Sequence, residues 1–170
     1  MNVGILTVSD RSSKGEREDR SGPALVEAVK RLGWEVAAAG VVSDEPAEIK
    51  AKLVEWCDSD AIDLILTTGG TGFAPRDQAP EATRAVVERP APGLTEVMRA
   101  ASMKITPHAM LSRAEAGIRG RTLIVNLPGS PKAALENLQV ITPALPHAVS
   151  LLREDPDAEA GHRPPKLKHA

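Results

Sequence analysis

The chain predicts an α/β fold, a three-layer α/β/α sandwich around a mostly parallel mixed sheet to which a C-terminal hairpin adds an antiparallel strand. Three features point there. Short apolar β-type runs alternate with helix-period stretches from residue 3 to residue 68, the third such run empties into a glycine-rich turn, and the pattern then changes to a hairpin followed by a long helix.

Residues 3–9 read as a buried strand that stops at Ser9-Asp10-Arg11-Ser12-Ser13, a polar loop. Gly22-Pro23 opens a helix over 24–33, where Leu25, Val26, Val29 and Leu32 recur at helical spacing and Gly33 supplies the stop. Residues 35–42 give a second strand. Ser43-Asp44-Glu45-Pro46 then leads into a helix over 47–57 that turns Ile49, Leu53, Val54 and Trp56 inward. Residues 63–68 form a third strand running straight into Gly69-Gly70-Thr71-Gly72. Such alternation implies parallel strands covered by helices on both faces. Two further helical stretches, 81–88 and 94–102, are split by Arg89-Pro90-Ala91-Pro92-Gly93. Residues 116–118 and 122–125 form a hairpin turning near Arg119-Gly120, and Asn126-Leu127-Pro128-Gly129-Ser130-Pro131 precedes a closing helix interrupted by Pro143 and Pro146. One domain, 1–153, is expected, with 154–170 as a flexible tail.

The composition narrows the function classes. Hydrophobic residues make up 42% and charged residues 26%, which is a globular balance. With 21 Lys and Arg against 23 Asp and Glu, the net charge of −2 does not favour a polyanionic partner such as nucleic acid. Trp34, Trp56 and Phe73 are the only aromatic residues among Phe, Trp and Tyr, too few for base-stacking platforms. The single cysteine, Cys57, excludes an internal disulfide and a Cys-rich zinc site, and reads as a packed small hydrophobe. The N-terminus lacks a signal-peptide core and no run reaches the length of a membrane span, so a soluble cytoplasmic protein is expected.

In open α/β sheets a ligand sits outside the carboxyl ends of the strands, so the loops after the first three strands should converge on one crevice. Those loops carry Ser9-Asp10, Asp44-Glu45 and Gly69-Gly70-Thr71-Gly72 with Asp77. Backbone N–H groups of a glycine-rich turn approach an anion with no Cβ in the way, which suits phosphate; the plainer reading is a tight strand-to-helix turn. No Gly-Lys-Ser or Gly-Lys-Thr follows, so the turn is not a P-loop. Asp44 and Asp77 are candidates to hold a divalent cation against a polyphosphate, since Mg²⁺ takes one or two carboxylates plus phosphate oxygens. The structural alternatives are a helix N-cap for Asp44 and an ion pair with Arg76 for Asp77. Both open ends of the hairpin lie on one side, so Leu111-Ser112-Arg113 and residues 126–130 reach one site together. There Ser112 offers a hydroxyl to an oxyanion and Pro128-Gly129-Ser130 offers donors at a helix start, against a pure turn role. No other His or Cys stands at metal-ligand spacing in sequence from His108 or His147, and both read as structural.

As a set these residues resemble a known family. TVSD (7–10), EDRSG (18–22), TTGGTGFAPRD (67–77), PEAT (80–83), LSR (111–113), AGIRGRTLIVNLPGSPK (116–132) and PALPHA (143–148) are similar to the molybdopterin adenylyltransferase family. That family takes in bacterial MogA and MoaB proteins, the plant Cnx G domain and the N-terminal domain of gephyrin. The resemblance spans residues 2–153 and makes 1–153 a molybdopterin-binding domain. It implies a nucleotidyltransferase of molybdenum cofactor biosynthesis that moves AMP from Mg²⁺-ATP to the terminal phosphate of molybdopterin, releasing pyrophosphate before molybdate insertion. It places Asp44 and Asp77 on the catalytic, cation-positioning acids and Gly69, Gly70, Thr71 and Gly72 on phosphate groups. Ser112 falls on molybdopterin, and Asn126, Pro128, Gly129 and Ser130 on the nucleotide or pterin pocket, with Ser9 and Asp10 as further candidates. It also implies a homotrimer or hexamer and a molybdenum-insertion partner protein. Two departures touch loop rigidity: Gln78-Ala79 stands where many relatives have a capping Thr, and Ser43 where several have Pro. A MoaB-type pterin-binding or oligomeric scaffold protein without transferase activity is the main alternative, favoured less by the intact acidic pair. A nucleotide-processing relative of the CinA amino-terminal domain shares the GGTG turn but not the APRD, LSR and NLPGSP segments.

Overall fold

The computed structural model describes residues 1–156 and residue 158. Its elements run β1 (Asn2–Val8), α1 (Asp10–Ser13), α2 (Ser21–Arg31), β2 (Glu35–Val42), α3 (Pro46–Asp58), β3 (Leu64–Thr68), α4 (Ala79–Val86), β4 (Arg89–Pro90), α5 (Pro92–Met103), a 3-10 turn (Pro107–Leu111), β5 (Ala116–Arg119), β6 (Thr122–Leu127), α6 (Pro131–Ile141) and α7 (Leu145–Leu152). One six-stranded sheet has the order β2-β1-β3-β6-β5-β4. The pairs β1–β2, β1–β3 and β3–β6 are parallel, whereas β5 runs antiparallel to β6 and β4 antiparallel to β5.

Strand alternation sorts the core into two layers. Val3, Ile5, Leu64, Leu66, Leu123, Val125 and Leu127 face one side, where Leu25 and Val29 of α2, Met98 of α5, Leu138 of α6 and Leu145 of α7 cover them. Leu6, Val8, Ile65 and Ile124 face the other, under Ile49, Leu53 and Trp56 of α3 and Ala82 and Val86 of α4. This is the three-layer sandwich that the sequence implies, and each fully buried aliphatic side chain contributes roughly 1.5–3 kcal/mol of transfer free energy.

The departures from the sequence reading are local. The polar segment after β1 is the short helix α1, because the Ser9 hydroxyl accepts the Ser12 N–H and caps it. The proline-rich break after α4 contains the two-residue edge strand β4, where Pro90 loses no ladder bond that it needs. The closing helix is two helices: α6 ends before Pro143, and Pro146 sits in the first turn of α7, where a missing N–H costs nothing. The tail expected from Glu154 lies, beyond Pro156 and apart from Ala158, outside the described residues. Among the described residues no helix is long and apolar enough to cross a membrane.

At the amino end of the sheet Asp63 is buried and fastens three elements. Its Oδ2 accepts the Asn2 N–H at 2.6 Å, its Oδ1 accepts Arg153 Nε at 2.6 Å, and its carbonyl accepts the Leu123 N–H at 3.0 Å. The opposite, carboxyl end is thereby left to the loops.

Candidate functional site

Strand β1 has β2 on one side and β3 on the other, so the loops after β1 and β3 diverge to opposite faces and leave a crevice at the carboxyl edge. The loops after β1, β2, β3 and β6 all open onto it, and a polar cavity of about 700 Å³ lies there.

Asp10 and Asp44 bind each other across the first two loops. The Asp10 N–H donates to Asp44 Oδ2 at 2.7 Å, and the Asp44 N–H donates back to Asp10 Oδ1 at 3.0 Å. Burial pushes the Asp44 carboxyl above its ordinary value and the negative charges of Asp10 and Asp77 add to this, opposed by the Asp10 N–H. The Arg76 guanidinium, hydrogen-bonded to Asp10, holds the Asp10 carboxyl below its ordinary value. Both structural alternatives for the acidic pair fall away: Glu45, not Asp44, occupies the N-cap position of α3, and Arg76 pairs with Asp10 and Glu45 rather than with Asp77.

The glycine-rich turn is shaped around these carboxylates. Gly70 has φ +60°, and a Cβ there would stand 3.2 Å from Asp44 Oδ1. A Cβ on Gly72 would stand 2.9 Å from Asp77 Oδ2, which accepts the Ala74 N–H at 2.8 Å. Gly69, at φ +104°, packs so tightly on β1 that a Cβ would collide with the Val8 carbonyl oxygen. Its N–H donates to the Leu127 carbonyl at 3.2 Å, so the phosphate-holding role expected of Gly69 gives way to a joint between β3 and β6. Each acid therefore ties Oδ2 to a backbone N–H and keeps Oδ1 uncommitted. Two carboxylate oxygens free of hydrogen bonds suit a divalent cation that takes its remaining ligands from phosphate and water; among the described residues no group of three or more His, Cys, Asp or Glu is placed to hold a metal without such ligands.

A second, smaller cavity of about 280 Å³ lies between α5, the 3-10 turn and α6, with a mainly apolar lining that includes Met98, Ile105 and Leu111. The expected site residues divide between the two. Ser9, Asp10, Asp44, Gly69, Gly70, Asp77, Gly129 and Ser130 line the polar cavity, and Thr71, Gly72, Ser112 and Pro128 line the apolar one. The turn Gly69–Gly72 and the segment Pro128–Ser130 thus form a wall shared by both. Two of the hydroxyls also serve as caps, Ser9 on α1 and Ser130 on the Ala133 N–H of α6.

Asn126 is a correction. It is fully buried, its Nδ2 donates to Thr67 Oγ1 and Thr83 Oγ1 at 2.8 Å each, and its Oδ1 accepts the Glu115 N–H at 3.1 Å. It fastens β6 to β3, α4 and the entry to β5, and it lines neither cavity.

Three residues of the site were not singled out by sequence reasoning. Asp19 caps α2 by accepting the Ser21 and Gly22 N–H groups at 3.0 Å each, and its Oδ2 takes the Thr7 hydroxyl at 2.7 Å. Arg113 pins the glycine turn, donating to the carbonyls of Gly72 and Asp77 and pairing with Glu81, while its N–H meets the Thr71 carbonyl. Arg76 bridges Asp10 and Glu45. Each sits inside one of the family-like motifs; Arg76 adjoins Asp77 and Arg113 adjoins Ser112, whereas for Asp19 the EDRSG motif was the one signal.

The model of a family described as "Probable molybdopterin binding domain" matches residues 4–147. The molybdopterin adenylyltransferase of Helicobacter pylori is 45% identical over 154 residues, which cover 89% of this chain and 88% of that protein. The gephyrin of Dictyostelium discoideum is 46% identical over 164 residues, 91% of this chain but 23% of that much longer protein. Among solved structures, the molybdopterin biosynthesis enzyme MoaB of Thermus thermophilus superposes with a TM-score of 0.85 at 54% identity, over 91% of this chain and 97% of that one.

Proposed function

The chain belongs to the molybdopterin-binding domain family, and from that membership we propose that it is a molybdopterin adenylyltransferase of molybdenum cofactor biosynthesis. A terminal phosphate oxygen of molybdopterin attacks the α-phosphorus of ATP, the bond from that phosphorus to the bridging oxygen breaks, and pyrophosphate leaves with the electron pair. The observation that carries the reading is the shared wall: a polar cavity that includes Asp44 and Asp77 and an apolar cavity meet along Gly69–Gly72 and Pro128–Ser130.

Transfer between two anions is limited by charge repulsion and by in-line positioning rather than by covalent chemistry. The polar cavity takes the triphosphate. Arg11 and Arg17 in its lining attract it, and the backbone N–H groups of Gly70, Gly129 and Ser130 approach its oxygens at the head of α6, where the helix dipole favours negative charge. Asp44 and Asp77, each with one carboxylate oxygen free of hydrogen bonds, would hold Mg²⁺, which would supply neutralisation of phosphate charge. The apolar cavity takes the pterin, with Ser112 donating to it and Pro128 walling it off from water. The loops after β3 and β6 then bring the pterin's phosphate arm toward the α-phosphorus. The same likeness supports cytoplasmic work by residues 1–153, a homotrimer or hexamer, and hand-over of the product to a molybdenum-insertion partner.

The test incubates purified protein with Mg²⁺-ATP and molybdopterin and separates adenylylated pterin by chromatography. Product from the wild type that is absent with Asp44→Ala is the expected result. Molybdopterin binding without product would replace this reading with the pterin-binding scaffold.

A further inference from the structure

Arg76 joins the three loops that carry the acids. It directly precedes Asp77, and its side chain is half exposed, yet all three guanidinium nitrogens donate to carboxylates. Nε and Nη2 donate to the two carboxylate oxygens of Asp10 at 2.9 and 2.8 Å, and Nη1 donates to Glu45 Oε1 at 2.6 Å. Asp10 and Asp44 are themselves joined by their reciprocal bonds, and Glu45 is the next residue after Asp44. One planar fork therefore ties the loop after β3 to the loops after β1 and β2, and it does so on either side of Asp44.

The pairing is selective. Arg76 takes Asp10 and Glu45 and leaves the Oδ1 atoms of Asp44 and Asp77 uncommitted, so it neutralises the flanking acids and not the pair itself. Bidentate Arg–carboxylate contacts fix orientation as well as charge, which a lysine ammonium does not reproduce. Without the fork, Asp10, Asp44, Glu45 and Asp77 lose the guanidinium that bridges their loops, Asp10 keeps only the longer-range attraction of Lys14, and like charges push the loops apart.

We propose that Arg76 is a positioning residue that, by clamping Asp10 and Glu45, sets Asp44 at the spacing from Asp77 at which the two acids share a divalent cation. This rests on the reading of Asp44 and Asp77 as a cation-holding pair.

The sign of one measurement separates positioning from simple electrostatics. Removing a positive charge beside a cation site strengthens cation binding if charge alone matters. Removing the clamp weakens it. Mn²⁺ binding to the purified protein, followed by electron paramagnetic resonance, is expected to weaken about tenfold in Arg76→Ala and nearly as much in Arg76→Lys, with Tm close to the wild type. Glu45→Gln, which removes one arm of the clamp, is expected to give a smaller loss. In the transferase assay, Arg76→Ala is expected to regain turnover as Mg²⁺ is raised, with little change in KM for ATP. Unchanged or tighter Mn²⁺ binding in Arg76→Ala, wild-type binding in Arg76→Lys, or a raised KM for ATP that Mg²⁺ does not relieve would overturn the proposal. Wild-type Mn²⁺ binding that Asp44→Ala leaves untouched would overturn the cation pair and the role of Arg76 with it, whereas loss in Asp44→Ala but not in Arg76→Ala sinks the Arg76 role alone.

Discussion

Asp10 and Asp44, 34 positions apart in sequence, exchange backbone N–H groups for carboxylate oxygens, so each acid fixes the other's loop. The arrangement holds a charge in a half-buried place, and burial raises the Asp44 carboxyl above its ordinary value. A carboxyl whose folded value is raised binds its proton more tightly in the folded state, so its ionised form costs stability at every pH above that value. Asp44→Asn keeps an oxygen for the Asp10 N–H and removes the charge. The variant is expected to melt above the wild type at pH 7, with the gap closing as pH falls through the folded value toward the ordinary carboxylate range, and to give no adenylylated pterin. Thermal melts across that range check both the sign and the trade of stability for activity.

Asn126 separates a fastener from a ligand. Asn126→Ala leaves the Thr67 and Thr83 hydroxyls and the Glu115 N–H without their partner in a dry place. The expected cost is about 2–4 kcal/mol, from the desolvation of buried groups left unpaired. Denaturant unfolding measures it. KM for ATP in the remaining folded protein is expected to stay at the wild-type value, and a large rise would return Asn126 to the binding surface.

Much of this layout was legible before the structure. The ends of β1, β2 and β3 were marked by the change from apolar runs to Ser9-Asp10, Asp44-Glu45 and Gly69-Gly70, and parallel topology puts those ends together. Arg76 was not legible as a clamp because its partners lie 66 and 31 residues away, and which acid it meets depends on how three loops fold back. The short helix α1 was missed because four polar residues carry no periodicity; its signal was the capping serine alone. Asn126 was misread from its neighbours. Strand period already put it on the face of Ile124, toward α4, while the Pro128–Ser130 loop beyond it turned to the cavities.

The glycine turn gives a local test of geometry at constant charge. Gly72 has a φ that any residue tolerates, unlike Gly69 and Gly70, so Gly72→Ala carries no left-handed strain. Its methyl would stand 2.9 Å from Asp77 Oδ2 and must push the carboxylate aside. A displacement of about 1 Å in a positioned catalytic group lowers a rate on the order of 100-fold. Gly72→Ala is therefore expected to lose about that much kcat with its denaturation midpoint nearly unchanged. Parallel loss of stability and activity would mean that the turn, and not the carboxylate, is what the glycine protects.

Cys57 gives a pH dependence that is independent of the site. It is buried at the end of α3, and burial pushes its thiol up to about 11, with Arg119 nearby acting in the opposite direction. An unfolded cysteine ionises near 8.5. Between those values the unfolded chain has released its proton and the folded one has not, so stability falls as pH rises from about 8.5 to about 11. The loss is on the order of 3 kcal/mol for a shift of this size. Lysines titrate in the same window, so the informative quantity is the difference between wild type and Cys57→Ala, unfolded by urea at each pH. The wild type is expected to be the more stable at pH 8, because the alanine leaves a small cavity, and to lose that advantage by pH 11. A difference that stays flat would mean that the folded thiol ionises as freely as the unfolded one, and that the α3 end opens to solvent far more readily than its burial in the core implies.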